Sequence, residues 1–384
     1  MADLRKAAAI VGAYEHPTRY APEKSDQLLH LESALGALED AGLTRSDVDA
    51  YLTAKDGLAM VDYLNLSPKF IDDTEVGGTS FLFHLNLACT GIQAGWFRCA
   101  LITYGSTGRS TRPPTASGEQ QAGRLSPSVS FQDVYGPTTI GLRALTAQRH
   151  MHRYGTTPEQ LAAVAVTMRK HASLNPHAAY RDPITVADVL SSRMISSPFH
   201  LLDCCIISDG GGAIIVASPE VARSCRKPPV WVLGFGEGAI HHSAGYRDWT
   251  ASATPQAASH AFGMAGVTPG DINAAMIYDA FTMLVINNLE GLGFCPTGEG
   301  GPFVESGRIE LGGQLPVNPD GGGLSSNHPG HRGLFLLIEA TRQLRQESGE
   351  AQVSNCELVV CSGSGGAYEG GLRQSAAVAI LGRD

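Results

Sequence analysis

One phrase is written twice in this chain. Ala41-Gly-Leu-Thr-Arg-Ser-Asp-Val-Asp49 is matched by Ala265-Gly-Val-Thr-Pro-Gly-Asp-Ile-Asn273, and short apolar runs follow at 50–54 and 274–278. A second pair, Ala100-Leu-Ile-Thr-Tyr-Gly-Ser106 and Leu358-Val-Val-Cys-Ser-Gly-Ser364, falls in the same order. Two matches in one order describe an internal duplication, and each half reads as a βαβ-rich layered unit.

Local signals agree. Ala7 to Gly12 reads as a buried strand, and Asp26 to Ala41 as a helix stopped by Gly42. Thr44 to Asp47 is a turn resembling a capping box, with Asp in the usual Glu or Gln position. Between the halves, residues 112–200 change character. Arg112 to Ser128 is rich in Pro, Ser, Thr and Gly and reads as a loop. Two helices are expected at Pro137 to Tyr154 and Pro158 to Ser173. The expected division is a first half at 1–111 and 201–226, an insertion at 112–200, and a second half at 227–384.

Composition excludes several classes. With 43% hydrophobic and 17% charged residues in 384, the chain is an α/β-type globule with material for a large core. A net charge of −9 without a Lys/Arg cluster argues against nucleic-acid binding. No apolar stretch is long enough to span a bilayer, the start lacks a signal-peptide pattern, and none of the eight cysteines forms a CxxC pair. A cytoplasmic, membrane-free protein with reduced thiols is expected.

Asn318 to Gly333 carries the most chemistry. Its five glycines and His328-Pro329 predict a tight backbone cradle, unsuited to a packed strand or helix interior. A helix-compatible run, Leu334 to Leu344, follows directly, so free N–H groups at its start would favour developing negative charge.

These motifs resemble the thiolase superfamily. Asn318-x-x-Gly-Gly followed by Asn327-His-Pro329 resembles the Gly-His-Pro motif, with Asn327 in place of glycine. Tyr278-Asp-Ala-Phe281 stands where thiolases carry Asn-Glu-Ala-Phe, and Cys361-Ser-Gly-Ser-Gly365 resembles the C-terminal Cys-x-Gly-x-Gly loop. The fold this resemblance implies is a duplicated α/β/α/β/α layered thiolase-like fold with a helical loop-domain insertion.

One departure decides the chemistry. Thiolases place a nucleophilic cysteine at the start of a buried helix. Here that turn is Glu75-Val-Gly-Gly-Thr-Ser80, and Gly78 falls on the nucleophile's position. Cys89 lies eleven residues on, roughly 16 Å along a helix, and reads as a packing residue. The pattern is most similar to the lipid-transfer-protein aldolases of bacterial steroid side-chain degradation, through 294–305 and 315–324. That resemblance implies retro-aldol cleavage of a β-hydroxyacyl-CoA to a ketone and a shorter acyl-CoA, such as propionyl-CoA. It implies no permanently bound cofactor beyond the CoA moiety of the substrate and no metal. It also implies a homodimer bound to a small OB-fold, zinc-segment partner, giving a heterotetramer.

Such a reaction needs a base for the β-hydroxyl, donors for the thioester enolate, and an acid for the carbanion. By resemblance His328 and Tyr278 supply the oxyanion donors, and Tyr278 is also an acid/base candidate. Tyr368 and Tyr246 are further acid/base or pocket-lining candidates, and Cys361 occupies the position of the second, proton-transferring cysteine. Asp279 is expected to orient the site, and His331 to cap or touch substrate, whereas His241 and His242 read as solvated. Arg109, Arg112, Arg143, Arg149, Arg153, Arg169 and Lys170 could meet CoA phosphates or form a solvated face. The apolar segment Phe81 to Trp96 is expected to pack against a twin. A true thiolase using another cysteine, and a non-catalytic scaffold for a partner, are the competing readings.

Overall fold

The computed structural model describes residues 4–111, 138–241, 250–365 and 373–383. Strand β1 (Ala9–Glu15) leads to α1 (Asp26–Ala41), β2 (Ala50–Leu52), α2 (Gly57–Leu64), β3 (Phe70–Asp72), α3 (Ser80–Gln93) and β4 (Cys99–Ser106). Then come α4 (Thr139–Tyr154), α5 (Pro158–Leu174), α6 (Val186–Ser191), a small hairpin of β5 (Met194–Ser196) and β6 (Phe199–His200), β7 (Gly210–Ala217) and α7 (Pro219–Ala222). The chain continues through β8 (Val230–His241), α8 (Thr254–Ala265), β9 (Ala274–Ile277), α9 (Thr282–Gly291), α10 (Gly300–Glu305), α11 (Gly333–Arg345), β10 (Leu358–Gly365) and β11 (Arg373–Gly382).

The repeated phrase folds the same way twice. Helix α1 starts where Ser25 Oγ accepts from Leu28 N–H and ends at Gly42, whose φ of 72° only glycine adopts freely. Helix α8 ends at Gly266 with φ 68°. The Asp-containing turns close reciprocally in both places: Thr44 N–H donates to Asp47 at 2.8 Å, and Thr268 N–H to Asp271 at 2.7 Å. The strand expected over 50–54 stops at Leu52, where the chain leaves the sheet.

Nine of the described strands form one sheet, in the order β3-β2-β4-β7-β1-β8-β11-β10-β9, and β5 pairs with β6 apart from it. The first five lie before residue 218 and the last four after 229. They join through two residue pairs, Ala9 with Trp231 and Ile10 with Val230. Alternation along the strands sends neighbours to opposite faces. Gly211 faces Ser33 of α1, whereas Gly212 faces Ile338 of α11; Gly236 faces Ala257 of α8, whereas Glu237 accepts from Asn86 of α3. Helices α1 and α8 thus cover one face, and α3 with α11 the other.

Helix α3 buries Phe81, Leu82, Leu85, Ala88 and Cys89 completely within its own chain. Most of the apolar surface expected to meet a twin is therefore already used in this core. What remains accessible is Phe83, Leu87 and Thr90 beside a cavity of about 580 Å³ shared with Phe235 and His260, plus the exposed Trp96 stacked on Phe70 at 5.8 Å. Strand β3 forms one edge of the sheet. No helix among the described residues is long and apolar enough to cross a membrane.

Candidate functional site

Strand β9 ends at Ile277, and Asn318 pairs with that residue's main chain. With φ at 46°, Asn318 turns its amide edge-on to the strand, accepting from Ile277 N–H at 2.7 Å and donating to Ile277 O at 2.8 Å. Asn tolerates this left-handed conformation better than most residues. The next two side chains then leave the sheet in different directions. Tyr278, whose N–H donates to Ser362 O at 2.9 Å, turns toward α3; Asp279 turns toward the glycines of the cradle.

The cradle differs from expectation in one respect. Gly322–Ser326, read from sequence as unfit for a helix interior, winds a single wide π-type turn that is wholly buried. A carboxylate makes that possible: Asp279 accepts from Gly323 N–H at 2.7 Å and from Leu324 N–H at 3.2 Å, replacing partners a regular helix would supply. Helix α5 supports the turn from outside. Arg169 Nε donates to Ser325 Oγ at 2.9 Å, and His171 Nδ1 lies 3.0 Å from Val317 O. Arg169, offered as a possible phosphate ligand, is thus committed to the loop's underside.

Beyond this turn His328 is held at both flanks. Its N–H donates to Ser208 Oγ at 3.0 Å, and Pro329 O accepts from Tyr104 Oη at 2.7 Å. The imidazole meets Tyr278 edge-on, Nε2 to Oη 3.2 Å, with ring planes at 82°. Gly330 O lies 3.4 Å from the same hydroxyl. Burial, then the Arg332 guanidinium and the neighbouring His331, push the imidazole down to about 3, so it is neutral at physiological pH.

The position expected to carry the nucleophile explains why the tyrosine fits. Gly78 precedes α3, and a Cβ there would lie 2.3 Å from both Tyr278 Cζ and Oη. Its φ is not in the left-handed region, so space rather than backbone conformation demands glycine. Gly78 O also accepts from Gly333 N–H at 3.0 Å, which brings the starts of α3 and α11 together at the ring pair. The phenol thus fills the volume a side chain at 78 would take.

The remaining candidates fall as follows. Cys361 is fully buried on β10, with its Sγ 3.7 Å from Leu336 O and its thiol pushed far up by burial. Two residues on, Gly363 abuts Thr79, so the strand places glycine, not the thiol, nearest the turn at 78. Cys89 is buried on α3 with its thiol pushed up to about 12. His331 stacks on Tyr104 at 5.4 Å and lies 3.7 Å from Glu75. The Arg143 guanidinium on α4 is held below its ordinary value by burial, partly offset by the Tyr278 phenol. Lys170 is exposed and paired with Glu310 at 2.5 Å. Tyr246, Tyr368, Arg112 and His242 lie outside the described residues. Sequence reasoning missed Arg332, Asp320, Ser208 and Tyr104. Arg332 and Asp320 sit in the stretch already singled out, but spacing alone cannot show a side chain folding back under its own loop.

Buried neutral histidines also set an acid limit. His84 on α3 is pushed down to about 4 by burial, with its Nε2 2.9 Å from Thr74 O. Its folded value lies below its ordinary 6.5, so its contribution is complete above that pH and declines as pH falls toward 4. Between pH 7 and 5 this amounts to about 2 kcal/mol. Denaturant unfolding of His84→Gln at both pH values is expected to show a pH-induced loss smaller than wild type's by that amount. An equal loss in both proteins would contradict neutral burial.

Comparison with known proteins finds thiolase-type relatives of two kinds, an acyltransferase and aldolases. A family profile described as thiolase C-terminal domain-like matches residues 236–383. An acetyl-CoA acetyltransferase from Methanothermobacter thermautotrophicus is 34% identical over 87% of this chain and 90% of its own. A steroid side-chain-cleaving aldolase from Thermomonospora curvata is 33% identical over 95% of this chain and 97% of its own. The solved structure of an Ltp2–ChsH2(DUF35) aldolase superposes with a TM-score of 0.89 at 32% identity, covering 99% of both chains.

Proposed function

Since the chain belongs to the thiolase superfamily, with steroid side-chain-cleaving aldolases among its relatives, we propose that it cleaves a β-hydroxyacyl-CoA by a retro-aldol reaction. Its class is that of a carbon–carbon lyase on a CoA thioester. The observation that carries the reading is the Tyr278 phenol standing in the space of the missing nucleophile, 3.2 Å from a neutral imidazole. An acyl-enzyme has no atom at position 78 on which to form.

The chemistry follows from those groups. The proton of the substrate β-hydroxyl passes to a base, and its oxygen forms the carbonyl of the departing ketone. The Cα–Cβ bond breaks, and its electron pair moves into the thioester as an enolate. Tyr278 Oη and His328 Nε2, 3.2 Å apart, can both reach one thioester oxygen at ordinary hydrogen-bond length. Proton return to Cα completes a shorter acyl-CoA. Tyr368 remains the proposed second acid/base group beside Tyr278 and Tyr246 a proposed pocket-lining group, with Cys361 the weaker candidate because of its burial.

The acyl group proposed is a steroid side chain, and the acyl-CoA is the substrate's own group. Residues 1–111 with 201–226, and 227–384, are proposed as the two thiolase halves, with 112–200 inserted. The homodimer is proposed through the edge strand β3 and the accessible side of α3, and a second, small OB-fold subunit completes the assembly. The two-component name of the aldolase of known structure supports such a partner.

The test is incubation of the co-expressed pair with a panel of β-hydroxyacyl-CoAs, monitoring ketone and shortened acyl-CoA together. Absence of both products across steroid and simple acyl chains would overturn the proposal. The acetyltransferase likeness favours one rival, a thiolase using another thiol. Iodoacetamide separates them: cleavage activity is expected to stay within about twofold of untreated enzyme, with Cys89 and Cys361 unlabelled by mass spectrometry. Inactivation tracking alkylation of one cysteine would instead establish the thiolase.

A further inference from the structure

Beneath the ring pair lies a guanidinium with no contact to solvent. Arg332, the residue before α11, is completely buried. Its NH1 donates to Asn327 O at 3.0 Å and also to Asn327 Oδ1, and its NH2 donates to Asp320 Oδ2 at 2.6 Å; its Nε faces Asp279 Oδ1 at 3.4 Å as an ion pair without a hydrogen bond. Two of these partners are peptide neighbours of the ring pair. Asp279 follows Tyr278, and Asn327 precedes His328. The third, Asp320, accepts from Gly322 N–H at 3.2 Å at the start of the wide turn.

We infer that Arg332 is the positioning residue that sets the separation of Tyr278 and His328, by tying the residue beside each to one rigid fork. The planar guanidinium presents its donors at fixed angles, so it can hold three loop segments in one register. A lysine would carry the same charge without the fork. A buried ion cluster is a poor source of net stability compared with apolar packing, so the role inferred for this one is to fix geometry. The cluster is also braced laterally. Asn327 Nδ2 donates to Glu15, which pairs with Arg19 at 2.6 Å and with Arg342 of α11 at 2.7 Å. Arg19 Nε in turn donates to Ser326 O at 3.0 Å. The cradle is therefore anchored from β1 and α11 as well as from below.

The inference rests on Tyr278 and His328 being the working pair, and its test has an arm that does not need turnover. Three variants, Arg332→Lys, Arg332→Ala and Asn327→Ala, would be prepared as the co-expressed complex, with 15N-labelled histidine. The His328 ring signal would be assigned by its loss in His328→Gln. Arg332→Lys is expected to lower kcat about 100-fold with KM within threefold, and to shift the His328 Nε2 resonance away from its wild-type position. Added guanidinium is expected to recover at least tenfold of the kcat lost in Arg332→Ala. Should Arg332→Ala fail to fold, Asn327→Ala, which removes the Oδ1 acceptor and the donor to Glu15 while the bond from NH1 to Asn327 O stays, must still show the kcat-selective loss. Wild-type kcat and an unmoved His328 signal in both Arg332→Lys and Asn327→Ala would overturn the positioning role. A wild-type complex without lyase activity would sink the functional reading instead, while the resonance still reports on Arg332.

Discussion

Tyr278→Phe is expected to lower kcat for β-hydroxyacyl-CoA cleavage by about 10²–10³-fold while leaving KM and unfolding midpoint near wild type. The ring is nine-tenths or more buried and packs against Gly78 and His328, so the phenyl ring of Phe keeps the shape of the site. What goes is one oxygen, 3.2 Å from His328 Nε2 and 3.4 Å from Gly330 O. If that oxygen donates to the developing enolate, its loss costs about 3–4 kcal/mol of barrier. His328→Ala is expected to cost a similar factor, and the double variant little more than either alone, because the two donors act on one oxygen. Steady-state kinetics on the co-expressed complex decides this. Cleavage by Tyr278→Phe at more than a tenth of the wild-type rate would remove Tyr278 from the chemistry and with it the main support for the proposed function.

The second large effect is expected at a residue with no side chain. Gly78→Ala places a methyl 2.3 Å from the phenol's Cζ and Oη, far inside any contact distance. The ring cannot simply rotate away, because its neighbours include the His328 imidazole on one side and the Gly330 carbonyl on another. Gly78→Ala should therefore displace Tyr278, reduce activity at least 10³-fold, and destabilise the fold by about 1–3 kcal/mol through overpacking. The stability cost should nearly vanish when Tyr278→Ala makes room. A double-mutant cycle read by denaturant unfolding is thus expected to give a coupling of 1 kcal/mol or more between positions 78 and 278. Additive effects would mean that the two residues do not share one volume. The cycle tests the central contention directly: a side chain at 78 and tyrosine at 278 exclude one another, so the chain had to relinquish one to carry the other.

Local structure was legible wherever it rests on near neighbours in sequence. Helix α1 runs over the expected Asp26–Ala41 and stops at Gly42, since a cap, an apolar stripe and a glycine are all local signals. The Asp-containing turns at Thr44 and Thr268 closed as expected for the same reason. The cradle at 318–333 was recognisable by its glycines, yet its wide turn was not, because the group that stabilises it, Asp279, comes from the segment after β9, distant in sequence. The segment 81–96 shows a different limit. Its apolar character was plain, but composition cannot say whether such a surface meets its own core or a second copy.

By itself, then, the amino-acid order determined the repeated layered architecture, the family, and the absence of a thiol at the start of α3, because these depend on residue identity and short-range pattern. Only the tertiary structure decided that the phenol at 278 fills the vacated space and meets a neutral imidazole, and that Arg332 reaches back beneath both. Apart from the short reach of Arg332 to Asn327, those relations join residues 50 to 200 positions apart. They exist only once α3, α11, β9 and the cradle have been packed into one place, where exclusion of water sets the charge of each group and shared volume sets which side chains can coexist.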